Sequence, residues 1–276
     1  MTEPVLLIDE PLSKVRRLTL NRPQKRNALN DELRGSLFDA IREADRDPDI
    51  SVIIIRGGGP CFSAGYDLSA GGNNGVERSI AKVDGWWSRH VVNNWFEMWD
   101  MATPIIAQVH GYCLAGGTEL ATACDLVYVA EDAAIGYPPV RLMSPPDMQW
   151  QTWMMGLRHG MEALLTGDSM TGIEAAERGF ANRAHPLDEL DDAVLAVAER
   201  ITKVPLDLLA LNKRSAHRAM EAMGIRHGIR NGADIQAMGF HQPASQEYMK
   251  SFKEKGVSAA LSDRDRQFGD YRETDR

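Results

Sequence analysis

A chain of 276 residues, 43% hydrophobic and 25% charged, can bury a full core, as one large domain or two small ones. Its formal net charge of -8 repels phosphate backbones and argues against nucleic acid as a main partner. No apolar run reaches the roughly 18 to 20 residues that span a bilayer, so no membrane partner is expected.

The first ten residues lack the basic region and long apolar run of a secretory signal. They read as a strand, and a cytoplasmic location is expected. Residues 5–8 and 15–20 are short apolar or alternating runs joined by Asp9-Glu10-Pro11-Leu12-Ser13, which predicts a hairpin. Arg22, Lys25 and Arg26 follow, a cluster that suits either a phosphorylated ligand or a solvated turn. From Leu29 to Ala44 the apolar positions Leu29, Leu33, Leu37, Ala40, Ile41 and Ala44 fall at helical spacing.

Residues 51–56 read as a buried β-branched strand, stopped by Gly57-Gly58-Gly59-Pro60. Further strands are predicted at 107–109 and 126–129, with a helix over 114–123 between them. Alternation of strand and helix at these lengths predicts a parallel sheet covered by helices, an α/β core. Residues 69–75, Ser-Ala-Gly-Gly-Asn-Asn-Gly, have the composition of a mobile loop. Beyond Met148 the pattern turns almost wholly helical, over 193–201, 206–220 and 225–238. Cys61, Cys113 and Cys124 lack the C-x₂-C spacing of zinc sites, so they are expected to be small reduced core residues, with no metal bound.

Two loops suit close backbone approach. Phe62-Ser63-Ala64-Gly65-Tyr66-Asp67-Leu68 follows one strand, and Leu114-Ala115-Gly116-Gly117-Thr118-Glu119 opens a helix after the next. Glycine at a helix start lets a ligand reach backbone N–H groups whose dipole favours negative charge. In a parallel sheet such loops lie at the carboxyl ends of strands, where ligands commonly bind. Two N–H groups converging from the two loops would form an oxyanion hole; tight packing is the other use of Gly-Gly there. Neither the glycine pattern of dinucleotide folds nor that of a P-loop is present.

In order along the chain stand Asn21-Arg22-Pro23 with Asn27-Ala28-Leu29, the segment from Phe62 to Leu68, Ala107-x-Val109-His110-Gly111-Tyr112 with Gly116-Gly117-x-Glu119-Leu120, and Ala123-Cys124-Asp125-Leu126. Together they resemble the enoyl-CoA hydratase/isomerase, or crotonase, superfamily, from Val5 to about Tyr271. The resemblance implies a spiral core of ββα turns over residues 1–200 and a helical trimerisation region over 201–276. It implies acyl-CoA substrates, homotrimers that can pair into hexamers, and no cofactor beyond the coenzyme A of the substrate. Oxyanion donation is implied for the backbone N–H groups of Ala64 and Gly116. Lys25, Arg26 and Ala28 would lie beside the CoA nucleotide, Phe268 against the adenine, and Tyr66, Asp67, Leu68, Tyr112, Leu114 and Pro139 around the substrate.

Glu119 matches one of the two glutamates of family hydratases. Its place in the first turn of a helix favours its charge, while burial would oppose it. A structural glutamate capping the helix is the alternative. The second family glutamate matches Pro139, which moves no proton, so the two-carboxylate mechanism is absent as written. Asp147, in Ser144-Pro145-Pro146-Asp147, could compensate as acid/base, act as a nucleophile, or cap a helix starting near Met148. The implied function is addition of water to an α,β-unsaturated acyl-CoA through a thioester enolate. The alternatives are double-bond isomerisation, hydrolysis or dehalogenation through Asp147, and acyl-CoA binding without catalysis. All six tryptophans fall in two segments, at Trp86, Trp87, Trp95 and Trp99 and at Trp150 and Trp153. They suit a core, a subunit contact, or a pocket for a bulky acyl group.

Overall fold

The computed structural model describes residues 3–68 and 91–270. The predicted mobile loop at 69–75, together with Trp86, Trp87 and His90, lies outside the described residues. Two compact units divide the chain: the first comprises 1–66, 94–135 and 170–224, and the second 67–93, 136–169 and 225–276.

In chain order the strands are β1 (Leu6–Leu12), β2 (Val15–Leu20), β3 (Val52–Gly57), β4 (Ile105–Val109), β5 (Tyr112–Leu114), β6 (Leu126–Ala130), β7 (Ala134–Gly136) and β8 (Arg183–His185). The helices are α1 (Asp31–Arg46), α2 (Asn93–Asp100), α3 (Gly116–Ala123), α4 (Gln151–Met154), α5 (Gly156–Thr166), α6 (Gly172–Glu177), α7 (Leu190–Ile201), α8 (Leu206–Ala222), α9 (Ile225–Phe240), α10 (Pro243–Lys255) and α11 (Val257–Asp265).

The first unit holds a six-stranded sheet in the order β1-β2-β3-β4-β6-β8. β1 and β2 pair antiparallel, with Leu6 opposite Leu20, and the remaining pairs are parallel. The register shifts between Asp9 and Leu12, at Pro11, which has no N–H to donate. An edge strand tolerates both the proline and the irregularity, so β1 runs on to Leu12, four residues past its expected end. Val52, Ile53, Ile54 and Ile55 are all fully buried, the pattern of a strand covered on both faces. β8 is the strand in the region beyond Met148 that was expected to be almost wholly helical. Its three residues are too few for any alternation to show in the sequence. β5 and β7 form a separate two-stranded sheet.

α1 begins two residues later than its apolar spacing predicts, because the Asn30 side chain accepts the Leu33 N–H at 2.9 Å as its N-cap. It buries Leu33, Leu37, Phe38, Ala40, Ile41 and Ala44. α8 is pinned to the sheet unit by charge. Lys213 Nζ lies 2.8 Å from Asp125 Oδ2 and donates to the Thr103 carbonyl at 3.0 Å, while His217 bonds Asp125 Oδ1 at 2.8 Å and stacks on Trp99. α8 thus belongs to the first unit, whose last segment runs to Gly224.

In the second unit, glycines let α9 lie close on the segment carrying Asp147. A Cβ at Gly228 would come 2.9 Å from the Trp153 ring, at Gly232 2.9 Å from the Asp147 carbonyl, and at Gly239 2.8 Å from Pro145. Met143, Tyr248 and Ala260 form an apolar cluster with Leu68, Leu142, Phe240, Met249 and Phe252. Among the described residues no helix is long and apolar enough to cross a membrane.

Candidate active site

Lys25, Arg26 and Ala28, expected beside a CoA nucleotide, sit on a tight turn. A short 3-10 turn at Pro23–Lys25 runs into Arg26 and Asn27, both left-handed with φ of 51°. The buried Asn27 side chain holds that shape: it accepts the Arg22 N–H at 2.9 Å and donates to the Gly58 and Cys61 carbonyls at 2.9 and 2.8 Å. Lys25 and Arg26 remain exposed, and the Arg26 guanidinium lies 5.3 Å from the centroid of the Tyr112 ring. Ala28 is half-buried, and its carbonyl accepts from Arg22.

The turn also fixes the loop from Ser63 to Tyr66. Ser63 Oγ donates to the Asn27 carbonyl at 2.9 Å, and the Gly65 carbonyl accepts the Leu29 N–H at 2.8 Å. The Ala64 N–H is donated to the Arg26 carbonyl at 2.9 Å, and the Gly65 N–H to Ser63 Oγ at 3.2 Å. Ala64 is thus engaged within the fold at the group for which oxyanion donation was expected.

Gly65 has φ of 95°, and a Cβ there would stand 2.7 Å from the Leu114 carbonyl and 3.1 Å from the Gly116 nitrogen. Only glycine lets the loop pass this close to the start of α3. Gly116 and Gly117 are the first two residues of α3, and N–H groups in a first turn have no acceptor within the helix. The Tyr66 ring lies over Gly116, where a Cβ would meet ring carbons at 2.7 to 2.9 Å.

Glu119 lies in the first turn of α3 and is fully buried. It does not cap the helix: the N-cap position is Ala115, with no side-chain cap bond. The Tyr66 hydroxyl donates to Glu119 Oε2, and the buried Trp95 indole donates to the Tyr66 oxygen at 3.3 Å. Arg34 of α1 stands 5.9 Å from the centroid of the Tyr66 ring. Nearby thiols are poor nucleophiles. Burial pushes Cys61 up to about 11 and raises Cys113 and Cys124 well above the ordinary thiol range.

Asp67, Leu68, Pro139, Asp147 and Phe268 belong to the second unit. Asp67 and Leu68 are half-buried. Pro139 lies buried in a 3-10 turn at Pro138–Arg141. Asp147 is fully buried and accepts the Tyr137 hydroxyl at 3.2 Å. The helix-cap reading of Asp147 fails, because α4 starts only at Gln151 and its N-cap position is Trp150. Phe268 is 41% exposed on one side and packs on the Arg141 guanidinium with the other. Arg141, on the same turn as Pro139, has a buried guanidinium that pairs with Asp265, Asp270 and Asp168.

Comparison with known proteins gives this geometry its context. The profile of the enoyl-CoA hydratase/isomerase family matches residues 11–259. A probable enoyl-CoA hydratase of Mycobacterium bovis is 32% identical over 258 residues, covering 92% of this chain and 97% of that protein. A mitochondrial enoyl-CoA hydratase of Pongo abelii is 29% identical, over 86% of this chain and 80% of that one. Among solved structures, an enoyl-CoA hydratase from Mycobacterium smegmatis superposes with a TM-score of 0.89 at 30% identity, covering 97% of this chain and 95% of that one. An enoyl-CoA hydratase/isomerase from Xanthobacter autotrophicus Py2 gives 0.86 at 32% identity, over 97% and 99%. The chain belongs to the enoyl-CoA hydratase/isomerase family and has its mixed α/β fold.

Proposed function

We propose that the protein adds water to an α,β-unsaturated acyl-CoA, with the thioester oxygen held as an enolate oxyanion and Glu119 as the acid/base. The observation that carries this reading is the placement of a buried carboxylate in the first turn of α3, beside the N–H groups of Gly116 and Gly117. Such donors stabilise charge only as it develops, and removing one typically costs about 10² to 10³ in rate. With the Ala64 and Gly65 N–H groups engaged, we move the second donor two residues along the loop, to the backbone N–H of Tyr66, whose ring lies over Gly116. In the forward step Glu119 takes a proton from water as its oxygen bonds Cβ, the electron pair moves to the thioester oxygen, and the proton returns to Cα.

Double-bond isomerisation is the second reading, and Pro139 favours it. A single carboxylate suffices to carry a proton between two carbons, whereas hydration must also position a water. Hydrolysis or dehalogenation would instead run through Asp147. Incubation with enoyl-CoAs of varied length and ring content separates these readings by product mass. Hydration adds one water, isomerisation leaves the mass unchanged with a shifted double bond, and hydrolysis releases free CoA. Absence of all three across the panel would leave dehalogenation of a halogenated acyl-CoA, or acyl-CoA binding without catalysis.

The same reading extends to the rest of the protein. Coenzyme A would lie by Lys25, Arg26 and Ala28, with turnover needing no cofactor besides the substrate's own CoA. Homotrimers, alone or paired as hexamers, and a cytoplasmic location complete it. Self-association is supported by an apolar row on α5, where Leu157, Met161 and Leu165 are exposed at i, i+4 spacing.

A further inference from the structure

We propose that Tyr66 is a positioning residue for Glu119: its phenol holds the carboxylate ionised and in one orientation for proton transfer. This rests on the reading of Glu119 as the acid/base and adds a residue to that machinery, through a side chain otherwise expected only to line the substrate.

The hydrogen-bond chain runs from Trp95 through Tyr66 to Glu119. An indole Nε1 can only donate, so where Trp95 meets Tyr66 the phenol oxygen must accept. The phenol O–H in turn donates to Glu119 Oε2. Trp95 is itself held, fully buried and 5.4 Å from the Phe38 ring of α1. The Tyr66 ring is placed by the absence of a side chain at Gly116 and by the left-handed turn at Gly65. Each link is thus set by a neighbour, and the chain ends on the carboxylate.

A buried carboxylate away from water favours its neutral form, and a donor aimed at the charged form opposes that. A base that must accept a proton from water or from carbon has to be ionised first, so the phenol extends its working range to lower pH. α3 has no titratable residue besides Glu119. On β5, the Cys113 thiol is kept protonated by burial, and the Tyr112 ring faces Arg26. From α1, the Arg34 guanidinium faces the Tyr66 ring.

The test compares wild type, Tyr66→Phe, Trp95→Phe and Glu119→Gln on the enoyl-CoA turned over fastest, with kcat and KM followed from acid to neutral pH. Tyr66→Phe keeps the ring and the backbone N–H. It should lower kcat about 10- to 100-fold, the usual worth of a hydrogen bond to a charged group, with KM within about threefold. The acid limb of its kcat profile should move up by about one pH unit. Trp95→Phe keeps the phenol and should move the limb the same way by less. If Glu119→Gln abolishes turnover while both other variants keep the wild-type kcat and acid limb, the positioning role is overturned and the function stands. If Glu119→Gln turns over at the wild-type rate, the acid/base reading fails and the role of Tyr66 falls with it.

Discussion

Arg141 stacks on Phe268, its guanidinium carbon 3.8 Å from the ring centroid. The same group bonds Asp265 at 3.1 Å and Asp270 at 2.7 Å, and its side chain is 1% exposed. The guanidinium of the Pro139 turn therefore anchors residues 265–270 within the second unit. Removing one member of a buried ion pair leaves the other uncompensated, so Arg141→Met should lower stability by about 3 kcal/mol in urea unfolding. Asp265 keeps its paired bonds from Arg264 at 2.7 and 2.8 Å, which argues against a larger loss. A change below about 0.5 kcal/mol, the range of ordinary surface substitutions, would contradict the anchor.

Asp125 and Lys213 allow an asymmetric pair of substitutions. Asp125 accepts from the Ile105 N–H at 2.8 Å as well as from Lys213 and His217, so it keeps partners when the lysine is lost. Lys213 is buried and would keep, among the described residues, the Thr103 carbonyl. Asp125→Ala should therefore cost about 3 kcal/mol, and Lys213→Met distinctly less. Equal losses in unfolding measurements would show that burial of the lysine is not what sets the difference.

The thiols give a prediction with a definite sign. Cys61 ionises near 9 in an unfolded chain but near 11 in the native protein, because burial disfavours the thiolate. Between those values the unfolded state binds fewer protons, so this thiol's contribution to stability falls as pH rises from 9 to 11. Cys61→Ala should flatten that fall in denaturant unfolding. Native protein should also take up iodoacetamide slowly at pH 8, and unfolded protein rapidly at all three cysteines. Fast alkylation of the native protein would contradict the burial.

What the sequence made legible was periodic or local. The β-branched run before Gly57 is β3, the helical spacing from Leu33 to Ala44 is α1, and the glycines before Glu119 open α3. Features that depend on distant partners did not show. Tyr66 and Glu119 are 53 residues apart, and no pattern links a tyrosine in a loop to a glutamate in a later helix. The engagement of the Ala64 N–H was equally hidden, since it requires Arg26 and Asn27 to adopt left-handed backbone without being glycine. Asp147 looked like a helix cap because Pro-Pro-Asp has that local form, but α4 begins beyond its reach.

The central claim is that Glu119 moves the proton at an enolate carbon, and the kcat of Glu119→Gln beside that of wild type tests it most directly. Glutamine keeps the size of the side chain and cannot act as the base. A loss of about 10² to 10⁴ in kcat is expected on the best enoyl-CoA, with acyl-CoA affinity within a few-fold of wild type. Undiminished hydration by Glu119→Gln would contradict the account.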